Sequence, residues 1–413
     1  MLPFSTQDGS GATFADALFT ATSATCVTGL VVQDTATYWS GFGQAVLLLL
    51  IQIGGMGVVT VTVLISILSG KKIGLKERST IQEAISAPQV GGIIRFTGFI
   101  VKMTIIFEFV GALLMMPVFC SDFGFPKGVW YAVFHSISAF CNAGFDLMGI
   151  RGEFSSLTGY SSHPLINVVI MLLIIIGGIG FLTWEDIKNH RHHFRKYRMQ
   201  SKVALTTAAV LIVFPAIYFF FGEFAGLSGG ERILNSLFQS VTTRTAGFNT
   251  ADLAAMTETG IGIMIVLMLI GGSPGSTAGG MKTTTFAVML STTFSVFRRR
   301  EHTSFFGRRI SVDVVRNAAA ILTMYAVICL TNGFIISRIE GLPMTACLFE
   351  SASAIGTVGL TVGITTKLGL LSRTLLILSM YIGRVGGLTL IFSALSGNKG
   401  NTAKLPQDKM TVG

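Results

Sequence analysis

The sequence predicts an all-α polytopic membrane protein built from four repeats. Three observations predict it. First, 51% of the 413 residues are hydrophobic and only 12% are charged, with mean hydropathy +0.68, whereas soluble domains carry about 25% charged residues. Second, apolar stretches near the roughly 20 residues needed to cross a bilayer alternate with short basic clusters. Third, a glycine stretch recurs: Ser23 to Leu30, Ser138 to Phe145, Val241 to Phe248 and Ser353 to Leu360, with glycines at 29, 144, 247 and 359 in three near-equal steps. Self-similarity at a fixed period marks a repeat architecture.

The first repeat, residues 1–78, opens on Phe14 to Thr25, a modest amphipathic helix too short to span. The glycine stretch follows, then a polar connection (Asp34 to Ser40) and a span over Ala45 to Leu68 that carries Gly54-Gly55-Met56-Gly57. In repeat two, residues 79–200, Ile93 to Val118 spans, Lys127 to Phe140 is the short helix after Pro126, and Leu165 to Trp184 spans with Gly177-Gly178-Ile179-Gly180 inside. Repeat three, residues 201–310, has a span over Val203 to Phe221 and a short helix over Glu231 to Thr242. Its second span, Ile261 to Val296, is interrupted at 271–280. Repeat four, residues 311–397, places spans over Ala318 to Ile336 and Thr374 to Leu395, with a short helix over Met344 to Ile355 between them. A polar tail, 398–413, ends the chain. Each unit reads span, short pore helix, glycine loop, span, four of them arranged with pseudo-fourfold symmetry around one central pore. The first span of repeat one is missing, and a truncated N-terminus is the reading that keeps the repeat intact.

The formal net charge of +10 invites a nucleic-acid reading, which its placement opposes. Lys71-Lys72 with Lys76 and Arg78, Arg191 through Lys202, Arg298 through Arg309, and Lys399, Lys404 and Lys409 alternate with apolar stretches, while residues 1–42 contain no Lys or Arg. This is the positive-inside pattern of a multi-pass protein of the cell membrane. It puts the basic loops and C-terminus in the cytoplasm and the glycine loops outside. The five cysteines are scattered without metal spacing and read as small buried residues, and His190, His192 and His193 read as part of a solvated basic segment. A membrane enzyme would need convergent carboxylates, histidines or cysteines within the spans, and only Glu108 and Arg384 stand out. The chain therefore reads as no enzyme.

Irregular backbone at membrane depth is tolerated only where it is buried in protein or lines a cavity. Four such loops on one axis would turn rings of carbonyl oxygens inward, replacing the hydration shell of a cation. Glycine permits the dihedrals that a Cβ forbids. The candidate filter residues are Val27, Thr28 and Gly29; Asn142, Ala143 and Gly144; Thr245, Ala246 and Gly247; and Thr357, Val358 and Gly359. The short helix before each would aim the negative end of its dipole at the ion. Carboxylates in the outer connections (Asp8, Asp34, Asp122, Asp146, Glu153, Glu223, Asp252, Glu340) would concentrate cations there.

Gly271-Gly272-Ser273-Pro274-Gly275-Ser276-Thr277-Ala278-Gly279-Gly280 cannot hold a helix. Arg384 is a charge inside an apolar span, a functional hypothesis by default. Glu108 either pairs with a buried base or is protonated. Arg244 braces its loop, with Glu350 the expected partner, and Lys282 is either a partner of the 271–280 stretch or a flanking charge.

These features resemble the Trk/Ktr/HKT superfamily of potassium transporters, and most of all the membrane subunit of Ktr systems. The resemblance rests on Thr25 to Leu30, Ala139 to Phe145, Arg244 to Asn249, Gly383-Arg384-Val385-Gly386 and the run Gly70 to Arg78, and it extends over essentially the whole chain. It implies one pore per chain, a homodimer in the lipid bilayer, K+ as the transported ion held by filter carbonyls, and filter glycines at 29, 144, 247 and 359. A glycine rather than serine at 29 argues for potassium over sodium. It further implies that residues 271–280 form an intramembrane gate beside Arg384. A cytoplasmic ring of nucleotide-binding regulatory subunits would control that gate, so any nucleotide would sit on the partner. This chain carries no phosphate-binding fingerprint of its own. A second function class stays open beside this one: an ion-coupled secondary cation symporter driven by Na+ or H+.

Overall fold

A computed structural model describes residues 1–57, 60–61 and 93–386. The expected basic cluster at Lys71 to Arg78, the family-like run Gly70 to Arg78 and the tail 398–413 lie outside the described residues. Thirteen α-helices are described: α1 Phe14–Thr25, α2 Gly41–Met56, α3 Ile93–Phe123, α4 Phe125–Phe140, α5 Pro164–Gly178, α6 Phe181–His190, α7 Met199–Phe221, α8 Gly229–Thr242, α9 Glu258–Leu269, α10 Thr283–Phe297, α11 Val312–Glu340, α12 Met344–Ile355 and α13 Leu370–Val385.

The helix starts follow local chemistry. Thr13 Oγ1 accepts the Asp16 N–H at 3.2 Å and donates to the Asp16 carboxylate at 2.9 Å, closing the first turn of α1 from both sides. Ser40 and Thr257 cap α2 and α9 by accepting the Gly43 and Gly260 N–H groups. Among the described residues three helices, α3, α7 and α11, are long and apolar enough to cross a membrane alone. Pro117 and Pro215 sit inside α3 and α7, as membrane helices tolerate.

The packing has the polarity of a membrane protein. Phe109, Leu113, Phe214, Phe221, Val327 and Phe334 face outward and are exposed, while Ser136, Ser138, Gln239, Ser240 and Ser351 are fully buried. Large apolar side chains outside and hydroxyls inside suit lipid around an interior of close helix contacts.

One expected span is not continuous. Leu165 to Trp184 reads as a single span, but α5 and α6 meet at 97° across Ile179 and Gly180. Gly180 has φ 94°, and the Phe181 N–H donates at 2.6 Å to the Gly275 carbonyl, a partner outside its own helix. Apolar composition alone does not register a break whose backbone bonds are completed from another repeat. In the span expected over Ala45 to Leu68, α2 ends at Met56 with Gly57 at φ 84°, residues 60–61 are helical, and 62–68 lie outside the described residues.

Repeats four and one close on each other. Arg373 of α13 pairs with Asp16 of α1 at 2.9 Å and donates to the Leu368 and Thr366 carbonyls. Arg373→Met strands a nearly buried carboxylate, at a cost of about 1–3 kcal/mol. The thermal midpoint of the detergent-solubilised protein falls accordingly, and adding Asp16→Asn recovers part of the loss.

The sequence reading has no strand, yet Ser304–Phe305 and Arg308–Arg309 form a short antiparallel hairpin. Phe306 (φ 47°) and Gly307 (φ 77°) supply the two left-handed residues of its turn. The Phe306 ring meets Phe194 edge-on at 6.2 Å, so two basic segments distant in sequence share one face.

Candidate functional site

The four short helices α1, α4, α8 and α12 run into the four glycine stretches and end inside them, at Thr25, Phe140, Thr242 and Ile355. In each stretch the residue two before the glycine is left-handed: Val27 (φ 56°), Asn142 (59°), Thr245 (68°) and Thr357 (51°). The glycines are left-handed too, at φ 95°, 68°, 82° and 91° for Gly29, Gly144, Gly247 and Gly359. A left-handed position for a β-branched residue is a genuine outlier, and here three of the four are Val or Thr. Alternating the hand of successive residues turns successive carbonyls toward one side.

The glycines also close a ring. A Cβ on Gly29 would lie within 3.0 Å of the Ala143 carbonyl oxygen, one on Gly144 of the Ala246 oxygen, one on Gly247 of the Val358 oxygen, and one on Gly359 of the Thr28 oxygen. Each segment presses on the next, and the fourth returns to the first. All twelve candidate filter residues therefore come together, drawn from positions more than two hundred residues apart in places.

Sequence reasoning missed the residues that hold this ring. Ser23 and Ser353 hydroxyls accept the Gly29 and Gly359 N–H groups at 3.1 and 3.0 Å. Ser138 and Thr242 hydroxyls donate to the Phe145 and Phe248 carbonyls at 2.7 and 2.5 Å. The signal was in plain view, a hydroxyl five or six residues before each glycine.

Beneath the ring, Ile270 to Lys282 is non-helical, as the composition of 271–280 predicts. Its backbone is satisfied by its surroundings. The Ser273 and Thr277 N–H groups donate to the Gly178 and Gly177 carbonyls at 2.9 and 3.2 Å, and the Gly280 N–H donates to the Gly383 carbonyl at 3.1 Å. The loop thus leaves repeat three, binds the α5–α6 break of repeat two and reaches repeat four. Lys282 turns back on it, donating to the Ala278 carbonyl at 2.7 Å.

Arg384 does not snorkel outward. Its guanidinium donates to the Thr277 carbonyl of the loop and to the Gly54 and Gly55 carbonyls at the end of α2, the last at 3.2 Å. In the glycine runs of the four second spans, Gly55, Gly178 and Gly272 stand where repeat four has Arg384. One long cation thereby enters a space that the other repeats leave to glycine.

One expected pairing changes. Glu350 does not meet Arg244. Its carboxylate accepts from the Thr361 hydroxyl and, at 3.0 Å, from Thr365, tying α12 to the segment after the ring. Arg244 is buried with its Nε unpartnered beside a small cavity lined by Ile174, Ile212, Val241 and Gly272. Its contribution to the loop is its carbonyl, which accepts from Asn142 Nδ2 at 3.4 Å. Among the described residues Glu108, buried in α3, meets an amide: Gln52 Nε2 donates to it at 3.3 Å. Four cysteines are buried, as read, but Cys120 is half-exposed.

The carboxylates expected at the outer mouth mostly staple loops. Asp122 pairs with Arg151 at 2.7 Å and accepts from the Tyr160 hydroxyl at 2.6 Å, and Asp34 accepts the Ala36, Thr37 and Phe154 N–H groups. Asp146, directly after Phe145 of the ring, differs. Burial, with the Asp34 carboxylate adding to it, raises its pKa to about 7 against the opposing hydrogen bond from Met148.

The chain is similar to known proteins over most of its length. A family profile described as "TrkH: Cation transport protein" matches residues 2–402. Ktr system potassium uptake protein B of Bacillus subtilis is 39% identical, covering 97% of this chain and 90% of its own length. The potassium/sodium uptake protein NtpJ of Enterococcus hirae is 38% identical, covering 100% and 92%. The crystal structure of the potassium transporter TrkH from Vibrio parahaemolyticus superposes with TM-score 0.73 over 93% of this chain and 78% of that one. At 18% identity that likeness speaks for the fold.

Proposed function

The chain belongs to the TrkH family of cation transport proteins, and from that premise we propose that it takes up potassium across the cytoplasmic membrane through the ring of four glycine segments. The carrying observation is the closed order Gly29, Gly144, Gly247, Gly359, each glycine pressed against the next segment's carbonyl. Carbonyls of Val27, Thr28 and Gly29 and of their counterparts Asn142 to Gly144, Thr245 to Gly247 and Thr357 to Gly359 replace the water around K+. The negative ends of the four pore helices add a favourable field.

Residues 271–280 are the gate in this reading. They lie under the ring and are clamped by Arg384, whose charge also opposes a cation at rest. Two copies of the chain form the functional dimer. The joint face of the 304–309 hairpin and the 194–202 segment, rich in Arg and Lys and cytoplasmic in this orientation, receives a nucleotide-binding regulatory subunit. Relatives named as Ktr system components support that partner.

The experiment is growth rescue of a potassium-uptake-deficient bacterium on low potassium, combined with rubidium uptake, with and without a regulatory subunit and with and without sodium. Absence of both rescue and uptake in every arm overturns the reading.

A pH dependence follows from Asp146. A carboxyl with pKa about 7 is neutral below that pH and negative above it, so the outer mouth gains a charge as external pH rises from 6 to 8. One charge in a water-like dielectric contributes about 0.5–1 kcal/mol, roughly threefold in affinity. The apparent KM for rubidium therefore falls about threefold across that range in the wild type and stays flat in Asp146→Asn.

A further inference from the structure

The 271–280 loop touches the ring as well as lying under it. Thr277 Oγ1 is 3.1 Å from the Phe140 carbonyl and 3.1 Å from Asn142 Oδ1, one hydroxyl proton shared between two acceptors. Thr277 is fully buried and Asn142 nearly so, and the other end of the Asn142 amide donates to the Arg244 carbonyl at the base of the third segment. Asn142 is the left-handed non-glycine residue of the second segment. Its side chain is therefore held between the loop on one side and the third segment on the other.

The fit leaves no slack. A Cβ on Gly177 would fall within 3.0 Å of the Phe140 carbonyl, Thr277 Oγ1 and Asn142 Oδ1 together, so the glycine of α5 makes room for this junction. On the opposite side of the ring a Cβ on Gly279 would collide with Thr357 Oγ1. Thr357 is the left-handed non-glycine residue of the fourth segment. The loop thus abuts the two diagonal segments at equivalent positions.

We infer that Thr277 is a positioning residue for the ring: its hydroxyl orients the Asn142 amide, and through it the second and third carbonyl segments, so that the placement of the loop sets how well the ring discriminates K+ from Na+. The loop is then part of the scaffold that holds the carbonyls at K+ spacing, beyond its place in the conduction path. This rests on the ring being the selective element. A buried amide that loses one hydrogen-bond partner is free to turn, and a single neutral hydrogen bond contributes about 0.5–1.5 kcal/mol. The second segment does not need to unfold for discrimination to drop.

The test compares Thr277→Val, Thr277→Ser and wild type in rubidium uptake competed by sodium, with Vmax measured separately and protein amount checked by immunoblot and thermal melting. Val keeps the shape and removes the hydroxyl, and Ser keeps the hydroxyl. We expect Thr277→Val to lower the sodium concentration for half-inhibition roughly three- to tenfold, in line with the loss of one hydrogen bond, with Thr277→Ser restoring it. A Vmax change with unchanged sodium competition in Thr277→Val overturns the inference, because a contact that only holds the gate moves flux and leaves discrimination alone. Equal weakening of discrimination in Val and Ser also overturns it. Should Thr277→Val not accumulate, Thr277→Ala, which also removes the hydroxyl, must shift sodium competition in the same direction, and unchanged competition there counts against the inference. No rubidium uptake in wild type would overturn the uptake reading itself, a distinct outcome from these.

Discussion

Gly359→Ala abolishes rubidium uptake while leaving the protein in the membrane. At φ 91° an alanine sits in the left-handed region, which costs about 1–2 kcal/mol. The larger effect is spatial. The new methyl would lie within 3.0 Å of the Thr28 carbonyl oxygen and of Gly29 Cα and C, all backbone atoms with no side-chain freedom to yield. Segments one and four must separate, and the ring loses the carbonyl geometry on which dehydration of the ion depends. An added barrier of about 2.7 kcal/mol suffices for a hundredfold loss, and we expect at least about that. Gly363→Ala separates the two causes. Gly363 has φ 88° in the same repeat, but a Cβ there meets nothing within 4 Å. It should keep uptake near wild type. Substantial uptake by Gly359→Ala with unaltered sodium competition would show that the glycine ring is not the conduit.

Arg384→Ala raises uptake and uncouples it from the regulator. The arginine belongs to repeat four, but its guanidinium joins the loop carbonyl of Thr277 in repeat three to Gly54 and Gly55 in repeat one. A hydrogen bond to a charged group contributes about 1.5–3 kcal/mol, so removing the clamp shifts the loop's equilibrium by about tenfold or more. The charge that opposes a cation leaves with it. Uptake without the regulatory subunit should rise about tenfold and respond little when the subunit is added. Arg384→Lys should fall between, because an ammonium cannot span three carbonyls as a planar fork does. Unregulated uptake equal to wild type in Arg384→Ala would remove Arg384 from the gate.

Much of the local architecture was legible in the sequence. Phe14 to Thr25 and Met344 to Ile355 are helices at the bounds read from apolar spacing, and the stretch 271–280 is irregular because ten small residues with a proline give a helix little to hold. These are short-range properties of propensity, capping and hydropathy. The α5–α6 break was missed for the complementary reason. Its residues are as apolar as any span, and what makes the turn tolerable is the Gly275 carbonyl of another repeat. Opposite charge alone pairs Glu350 with Arg244, but the fold satisfies the carboxylate with two threonine hydroxyls in its own repeat.

By itself, then, the sequence determined a fourfold membrane repeat, the glycines that carry it, and the two intramembrane charges and one broken helix worth attention. Only the tertiary structure decided that the four segments close in the order one, two, three, four, that Arg384 bridges three repeats, and that Thr277 touches Asn142. Those contacts join residues more than a hundred positions apart. They depend on how the repeats pack about a common axis, a relation that no local periodicity encodes.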